Sequence, residues 1–149
     1  MNIDIKGHKF LLRNCEDADY NFVFELLKEN MYDAFIRHWG SWNSQSFEDG
    51  FDKNKIMIVE YEGKRIAFFD LKCGRDAAYI NNVQVSTKLR SKGLGTFLVG
   101  LMEKKAKEHD LTRIRLKVFN DNKAKKLYER LGYKTVKDDG ASSILEKAL

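Results

Sequence analysis

Apolar and polar positions along this chain fall into runs that each fit one kind of element. KFLLRNC (Lys9–Cys15) is a short apolar run and predicts a strand. Asp17 then stands where it can cap a helix over roughly Ala18–Asn30, with Phe22, Leu26 and Leu27 on its inner face. The next stretch, Met31–Phe51, is rich in aromatics and predicts one or two short helices interrupted near Gly40.

KIMIVEYEG (Lys55–Gly63) and RIAFFDLKC (Arg65–Cys73) are strand-like runs joined by the tight, polar EGKR, a hairpin signal. AAYINNVQV (Ala77–Val85) is the next predicted strand, leading through STKLRSKGLG into an amphipathic helix that ends near His109. RIRLKVF (Arg113–Phe119) alternates basic and apolar residues, as a half-exposed strand does. Around Ala124–Leu131, Leu127, Tyr128 and Leu131 recur at helical spacing, and Gly132 stops that helix. YKTVKDD and SSILEKAL close the chain as two strands. An antiparallel meander followed by a strand–helix–strand crossover implies a mixed sheet with helices on both faces. The fold class is α/β in the broad sense, α+β in a finer division.

Composition changes this picture little. The 149 residues suit a single domain over 1–149, and 43% hydrophobic content is ordinary for a globular protein. No apolar run is long enough to cross a bilayer, and MNIDIKGHKF lacks the apolar centre of a secretory signal. The expectation is a cytoplasmic protein without a membrane partner. Cys15 and Cys73 belong to no CxxC pattern; a disulfide is one reading, and two buried free thiols in a reducing cell the other. His8, His38 and His109 lack ligand spacing, so no metal is expected.

The net charge of +5 is compatible with nucleic acid, a membrane surface or a phosphorylated small molecule. Many of the 27 basic residues are interleaved with acids, as in EKKAKEH, which is the pattern of a solvated helix face. No basic strand is interleaved with aromatics and no nucleic-acid recognition motif occurs, so no nucleic-acid partner is expected.

One local feature resists explanation by helix stability. Gly93 and Gly95 sit where the long amphipathic run begins, although glycine in a helix costs ~1 kcal/mol against alanine. A strand entering a glycine-bearing loop before a helix can hold an anion. The first helical N–H groups have no internal partner, the macrodipole adds positive potential, and the missing Cβ permits close approach. Arg90 and Lys92 add full charges, and Thr96 a hydroxyl. Together these groups suit a pyrophosphate. Helix entry beside a packed strand is the competing reading. A Walker A string is absent, and the dinucleotide fingerprint fails because position 98 is Leu98.

The stretch VQVSTKLRSKGLGTFLV resembles the coenzyme A motif of the GNAT superfamily of N-acetyltransferases: an apolar strand, R/Q-x-x-G-x-G/A, then a helix. Here it reads Arg90-Ser91-Lys92-Gly93-Leu94-Gly95 after a strand ending at Val85. Downstream, KAKKLYERLGYKTV resembles the family's A-x-x-L-Y-E-x-L-G-F segment at Ala124, Leu127, Tyr128, Glu129, Leu131, Gly132 and Tyr133. The two matches come in the family's order with a strand between them and cover about the second half of the chain.

The resemblance implies a mostly antiparallel central sheet with a splayed parallel strand pair at the cofactor site. It also implies acetyl transfer from acetyl-CoA directly to an amine, with no acyl-enzyme. Coenzyme A would then contact Val83, Gln84, Val85, Arg90, Ser91, Lys92, Gly93, Leu94, Gly95, Thr96, Asn122 and Tyr128. Backbone N–H groups at Val83–Val85 would face the thioester carbonyl, where negative charge develops. The preceding pair Asn81-Asn82 is a poor strand former and suits a bulge. Tyr128 matches the family's general acid for the departing thiolate, although a tyrosine on an apolar helix face is also ordinary core packing.

Two positions depart from the family's pattern. Many members carry glutamate about where Asn81 stands, and asparagine cannot take a proton at neutral pH. Glu60, Asp70, Glu29 and Asp33 are the other candidates for a base, each also readable as a surface carboxylate. Members often place asparagine where this chain has Asp121, flanked by Asn120 and Asn122; Asn122 is suited to cap the next helix and contact the cofactor. By family analogy Trp39, Trp42, Tyr32 and Phe35 would wall the acceptor pocket. The expectation is an acetyl-CoA-dependent N-acyltransferase, monomeric or homodimeric, acting on a primary amine of a small molecule, peptide or protein. The alternative is an acyl-CoA-binding sensor or scaffold of the same fold that does no chemistry.

Overall fold

A hairpin that the apolar pattern does not predict opens the chain. In the computed structural model, which describes residues 1–90 and 93–149, β1 (Asn2–Ile5) and β2 (His8–Asn14) pair antiparallel around the turn Lys6-Gly7. Both turn residues have positive φ, 52° and 83°, and Asp4 Oδ1 accepts the Gly7 N–H at 3.1 Å. NIDI is too short a run to stand out from its surroundings, and pairing with β2 supplies what its own length does not.

The described residues form two compact units, Met1–Asp70 with Val83–Gly95, and Leu71–Asn82 with Thr96–Leu149. In the first, the strand order is β1-β2-β3-β4, all antiparallel, with β3 at Ile56–Tyr61 and β4 at Lys64–Cys73. The predicted hairpin is present, and its turn is Glu62-Gly63 with φ of 53° and 76°. Positive φ at both positions is the geometry that matches the twist of the flanking strands. Phe10, Leu12, Val59 and Ala67 are buried on one face of these strands, and Ile58 and Phe68 on the other.

Helix α1 spans Tyr20–Trp39, well past the predicted end at Asn30. Neither glycine nor proline interrupts the chain before Gly40, which takes φ 77° and donates its N–H to the Ile36 carbonyl at 2.9 Å. The aromatics after Asn30 therefore extend one helix and leave a single short one, α2 (Ser44–Gly50), capped by Asn43. The entry to α1 is also built differently. Asp19, not Asp17, is the buried acid: Arg13 grips it bidentately at 2.7 and 2.9 Å, and its Oδ2 accepts the Glu16 N–H at 2.8 Å. Arg13 holds the Asp19 carboxyl below the ordinary carboxylate range.

In the second unit the strand order is β5-β6-β8-β7, with β5 (Ala78–Val85) entering as far as Asn82, β6 at Arg113–Phe119, β7 at Lys134–Asp138 and β8 at Ser142–Ala148. β8 is antiparallel to both β6 and β7. β5 and β6 are parallel, and a parallel pair needs a crossover, in which α3 (Leu94–Glu108) lies. Their register covers Ala78↔Ile114, Tyr79↔Arg115 and Ile80↔Leu116, and β5 runs on as a continuous strand to Val85. Leu98, Val99, Met102 and Ala106 of α3 are buried at helical spacing. α4 (Ala124–Arg130) ends as its sequence predicts.

Candidate active site

Where β5 gives way to α3, the first unit presents a basic glycine turn. Gly93 has φ +80°, in the left-handed region that costs a residue with a Cβ ~1–2 kcal/mol. Leu94 begins α3 and is buried, which anchors the turn, while Thr96 in the first turn is exposed. Gly95 lies inside the helix, so its backbone does not demand glycine there; a bare Cα in the first turn leaves the free N–H groups approachable. Arg90 is exposed at the loop's entry. Ser91 and Lys92, expected to contact the same ligand, lie outside the described residues.

Lys6 also belongs to this turn, and sequence reasoning missed it. A Cβ built on Gly93 would stand 3.6 Å from Lys6 Cε and 3.8 Å from its Nζ, with Ile5 Cγ2 at 3.6 Å. The β1–β2 turn thus brings a second described cation beside the glycine turn, in addition to Arg90. No local signal marks Lys6, because its place beside Gly93 follows from a hairpin that pairs only in the folded chain.

The end of β5 is tied into the same unit. Arg90 Nε donates to the Val85 carbonyl at 3.4 Å, and that oxygen also accepts from Asn30 Nδ2 of α1 at 3.2 Å. Asn30 Nδ2 donates as well to Gln84 Oε1 at 3.1 Å. Ser86 N–H bonds the Ile66 carbonyl at 2.8 Å. Val83, Gln84 and Val85 are all half-buried. Of the residues singled out in the sequence, Gln84, Val85 and Arg90 are therefore brought together, and Asn30 joins them unpredicted.

In the same unit the Phe35 ring stacks with Trp39 at 4.6 Å and with Trp42 at 5.3 Å between ring centroids. Tyr32 lies 6.3 Å from Trp42, and Trp39 stays 58% exposed. The candidate base Glu60 is already engaged: Arg13 Nε donates to its Oε2 at 2.5 Å. Glu29 and Asp33 are exposed on α1, and Asp70 is half-buried.

The second unit holds Tyr128 and the asparagines. α4 closes in a Schellman motif: Tyr133 N–H bonds the Tyr128 carbonyl at 3.0 Å and Gly132 N–H the Glu129 carbonyl at 3.1 Å. Gly132 takes φ +97°, and the Tyr133 ring packs on the Tyr128 ring at 5.6 Å, edge on. The segment LYERLGY is thus a device for locking Tyr128. Tyr133 is pinned in turn, its hydroxyl donating to Glu103 at 2.8 Å. Tyr128 is only 6% exposed, and burial pushes its hydroxyl up to about 12, so it stays protonated at neutral pH.

Asn122 Oδ1 accepts the Ala124 N–H at 2.8 Å, capping the entry to α4 as expected. Asn120 is spent on structure: it donates to Asp138 and the Gly140 carbonyl and accepts from Lys125 and Ser143. On β5, Ala78 and Ile80 are buried while Tyr79 and Asn81 are exposed, so Asn81 faces outward; Asn82 is half-buried.

Cys15 and Cys73 are both free; Cys15 is buried as expected, whereas Cys73 is only half-buried. Burial pushes the Cys15 thiol up to about 11 and the Cys73 thiol upward too, so neither is an activated nucleophile. Among the described residues no three His, Cys, Asp or Glu side chains converge to hold a metal ion, and no helix is long and apolar enough to cross a membrane.

The model of the acetyltransferase (GNAT) family matches residues 20–133. The chain belongs to the GNAT family. Solved structures agree on the fold. The PaiA N-acetyltransferase of Thermoplasma acidophilum in complex with coenzyme A has a TM-score of 0.75 at 19% identity, over 94% of this chain and 99% of that one. An acetyltransferase of Streptococcus agalactiae gives 0.77 at 18% identity, covering 94% and 98%. The ribosomal-protein-S18-alanine N-acetyltransferase of Escherichia coli gives 0.72 at 20% identity, covering 93% of each. The mixed, mostly antiparallel sheet with the parallel β5–β6 pair is the arrangement expected of a GNAT chain. At Asn81 this GNAT chain carries the amide noted above, and Glu60, the candidate on β3, is held by arginine.

Proposed function

We propose that this GNAT chain, as one domain over 1–149, moves the acetyl group of acetyl-CoA directly onto a primary amine. The observation that carries this reading is the left-handed Gly93 turn at the start of α3 with Arg90 and Lys6 beside it. These groups suit the two negative phosphates of a pyrophosphate, with Ser91, Lys92, Leu94, Gly95 and Thr96 completing the contacts. In this reading the backbone of Val83, Gln84 and Val85 lies along the pantetheine arm and receives the charge that develops on the thioester oxygen. The neutral amine nitrogen bonds to the carbonyl carbon and sheds one proton to water, the C–S bond breaks, and Tyr128 gives its proton to the leaving sulfur and regains one from solvent. Asn122 adds a cofactor contact beside its capping role. Coenzyme A release measured over a panel of amines, with calorimetry for coenzyme A itself, tests this directly; failure to bind coenzyme A overturns it.

Lys6 makes a quantitative check. Lys6→Gln is expected to weaken coenzyme A binding roughly two- to fivefold at low salt, with the deficit shrinking as salt rises. Calorimetry at two salt concentrations reads both. Unchanged affinity at low salt removes Lys6 from the phosphates.

Deprotonation of the amine is the step for which β5 offers no carboxylate. An amine of the lysine type has a pKa of about 10.4, and only its neutral form attacks. With Asn81 at that position, kcat/KM is expected to climb with pH toward the amine's own pKa. A glutamate base would instead give a plateau starting near its own, lower pKa. Asn81→Glu is therefore expected to raise activity at neutral pH and flatten the profile. A wild-type profile already flat above pH 7 and unaltered by the substitution means that another group takes the proton. Asn81 also sustains the second reading, an acyl-CoA-binding sensor without catalysis. Coenzyme A binding with no release over any amine would favour it.

A further inference from the structure

The Tyr128 ring has no polar anchor of its own. Among the described residues nothing hydrogen-bonds its hydroxyl, and the one sealed, unpartnered side-chain oxygen or nitrogen among them is Asn30 Oδ1. The Tyr128 oxygen therefore keeps an opening to solvent, although the residue is only 6% exposed. A phenol that is to meet a leaving sulfur within hydrogen-bond reach has to be aimed. Misplacement by about 1 Å can cost roughly a hundredfold in rate. Here the aim falls to whatever holds the ring.

Tyr133 holds it from two sides. Its backbone N–H bonds the Tyr128 carbonyl at 3.0 Å, and its ring meets the Tyr128 ring edge on, with centroids 5.6 Å apart. Tyr133 is itself fixed at its far end. Its hydroxyl donates to Glu103 Oε2 of α3 at 2.8 Å, and Lys147 Nζ of β8 donates to both Glu103 oxygens at 3.1 and 3.3 Å. Lys147 Nζ also lies 5.7 Å over the Tyr133 ring, and its stem passes Gly132, where a Cβ would stand 3.5 Å from Lys147 Cε. Tyr133 is buried, and the Glu103 and Lys147 side chains are largely so, which shields these bonds from water. Burial, and then the Glu103 carboxylate, hold the Tyr133 phenol far above the ordinary tyrosine range, so it stays a donor. The family's segment quoted above carries phenylalanine at this position, so packing on Tyr128 asks for a ring and not for a hydroxyl. What the hydroxyl adds is a bonded chain from β8 through α3 that ends one ring away from Tyr128. We propose that Tyr133 and Glu103 are positioning residues for acetyl transfer: the pinned Tyr133 ring sets the direction in which Tyr128 presents its hydroxyl to the leaving sulfur. Neither touches the reacting atoms. The proposal rests on the reading of Tyr128 as the acid and adds to it.

Coupling between variants separates this role from plain stabilisation. Tyr133→Phe keeps the ring contact and removes the pin. It is expected to lower kcat about three- to tenfold, a smaller loss than removing the acid itself, with coenzyme A affinity by calorimetry unchanged. In a Tyr128→Phe background no hydroxyl is left to aim, so adding Tyr133→Phe is expected to lower kcat no further. Glu103→Ala cuts the pin from the other side; it is expected to give a similar loss and to add nothing to Tyr133→Phe. Turnover of one accepted amine, with a thermal melt on each preparation, reads the set, and either variant alone carries the test where the other does not fold. Wild-type kcat in a folded Tyr133→Phe or Glu103→Ala protein overturns the proposal. So does a loss that persists in full without the Tyr128 hydroxyl, or a fall in coenzyme A affinity that matches the fall in kcat. Wild-type kcat in a folded Tyr128→Phe protein instead overturns the acid reading of Tyr128 itself.

Discussion

Tyr128→Phe is expected to lower kcat by ~10²–10⁴-fold, the usual contribution of a positioned general acid, with little change in coenzyme A affinity. The substitution keeps the ring, and the ring is what packs edge on against Tyr133 at the Schellman end of α4. Only the hydroxyl is lost. Burial pushes that hydroxyl up to about 12. The sign follows from the proposed role: the group donates while protonated, so the acid is available throughout the range below its pKa. No falling limb from Tyr128 is expected in the pH–rate profile between neutrality and pH 11 or so. Turnover, calorimetry and a thermal melt on the same preparation check the set. Wild-type turnover in a folded Tyr128→Phe protein would leave Tyr128 with packing alone.

Gly93→Val is expected to weaken coenzyme A binding roughly 10–100-fold. Two costs act together there. At φ +80° a residue with a Cβ is strained by ~1–2 kcal/mol, and a β-branched one more so. Space is not the obstacle in the free protein, because a Cβ would meet Ile5 and Lys6 at 3.6 Å, an ordinary contact. The added side chain instead occupies the approach to the N–H groups at the start of α3. Each charge-assisted hydrogen bond lost is worth ~1.5–3 kcal/mol, and ~1.4 kcal/mol is tenfold in affinity. Gly93→Ala shares the backbone strain with a smaller obstruction, so its melt should fall almost as far while its binding falls less. Calorimetry showing wild-type affinity for Gly93→Val would remove the pyrophosphate from this turn.

The order of strands and helices from β2 onward, the β3–β4 hairpin, the glycine turn before α3 and the closure of α4 were legible in the sequence. Each rests on neighbours within a few residues: Glu62-Gly63 accept positive φ, Gly93 accepts +80°, and Gly132-Tyr133 complete bonds to Tyr128 and Glu129. Local dihedral preference and capping decide such features, so a short window of residues carries the information. α1 differs: the residues after Asn30 continue one helix to Trp39, because neither glycine nor proline stands between Asn30 and Gly40.

What only the tertiary structure decided are contacts between residues distant in the chain. Pairing with β2 makes NIDI a strand and sets Lys6 against Gly93. Asn30 meets Gln84 and Val85 across 54 and 55 residues of sequence. Arg13 reaches across 47 residues to engage Glu60, one of the candidate bases on the sequence alone. Tyr128 owes its high pKa to burial, which the sequence around it cannot show. Glycine turns and caps are fixed by torsions a residue carries with it, whereas an ammonium, a side-chain amide or a phenol acquires its surroundings only from what the folded chain places around it.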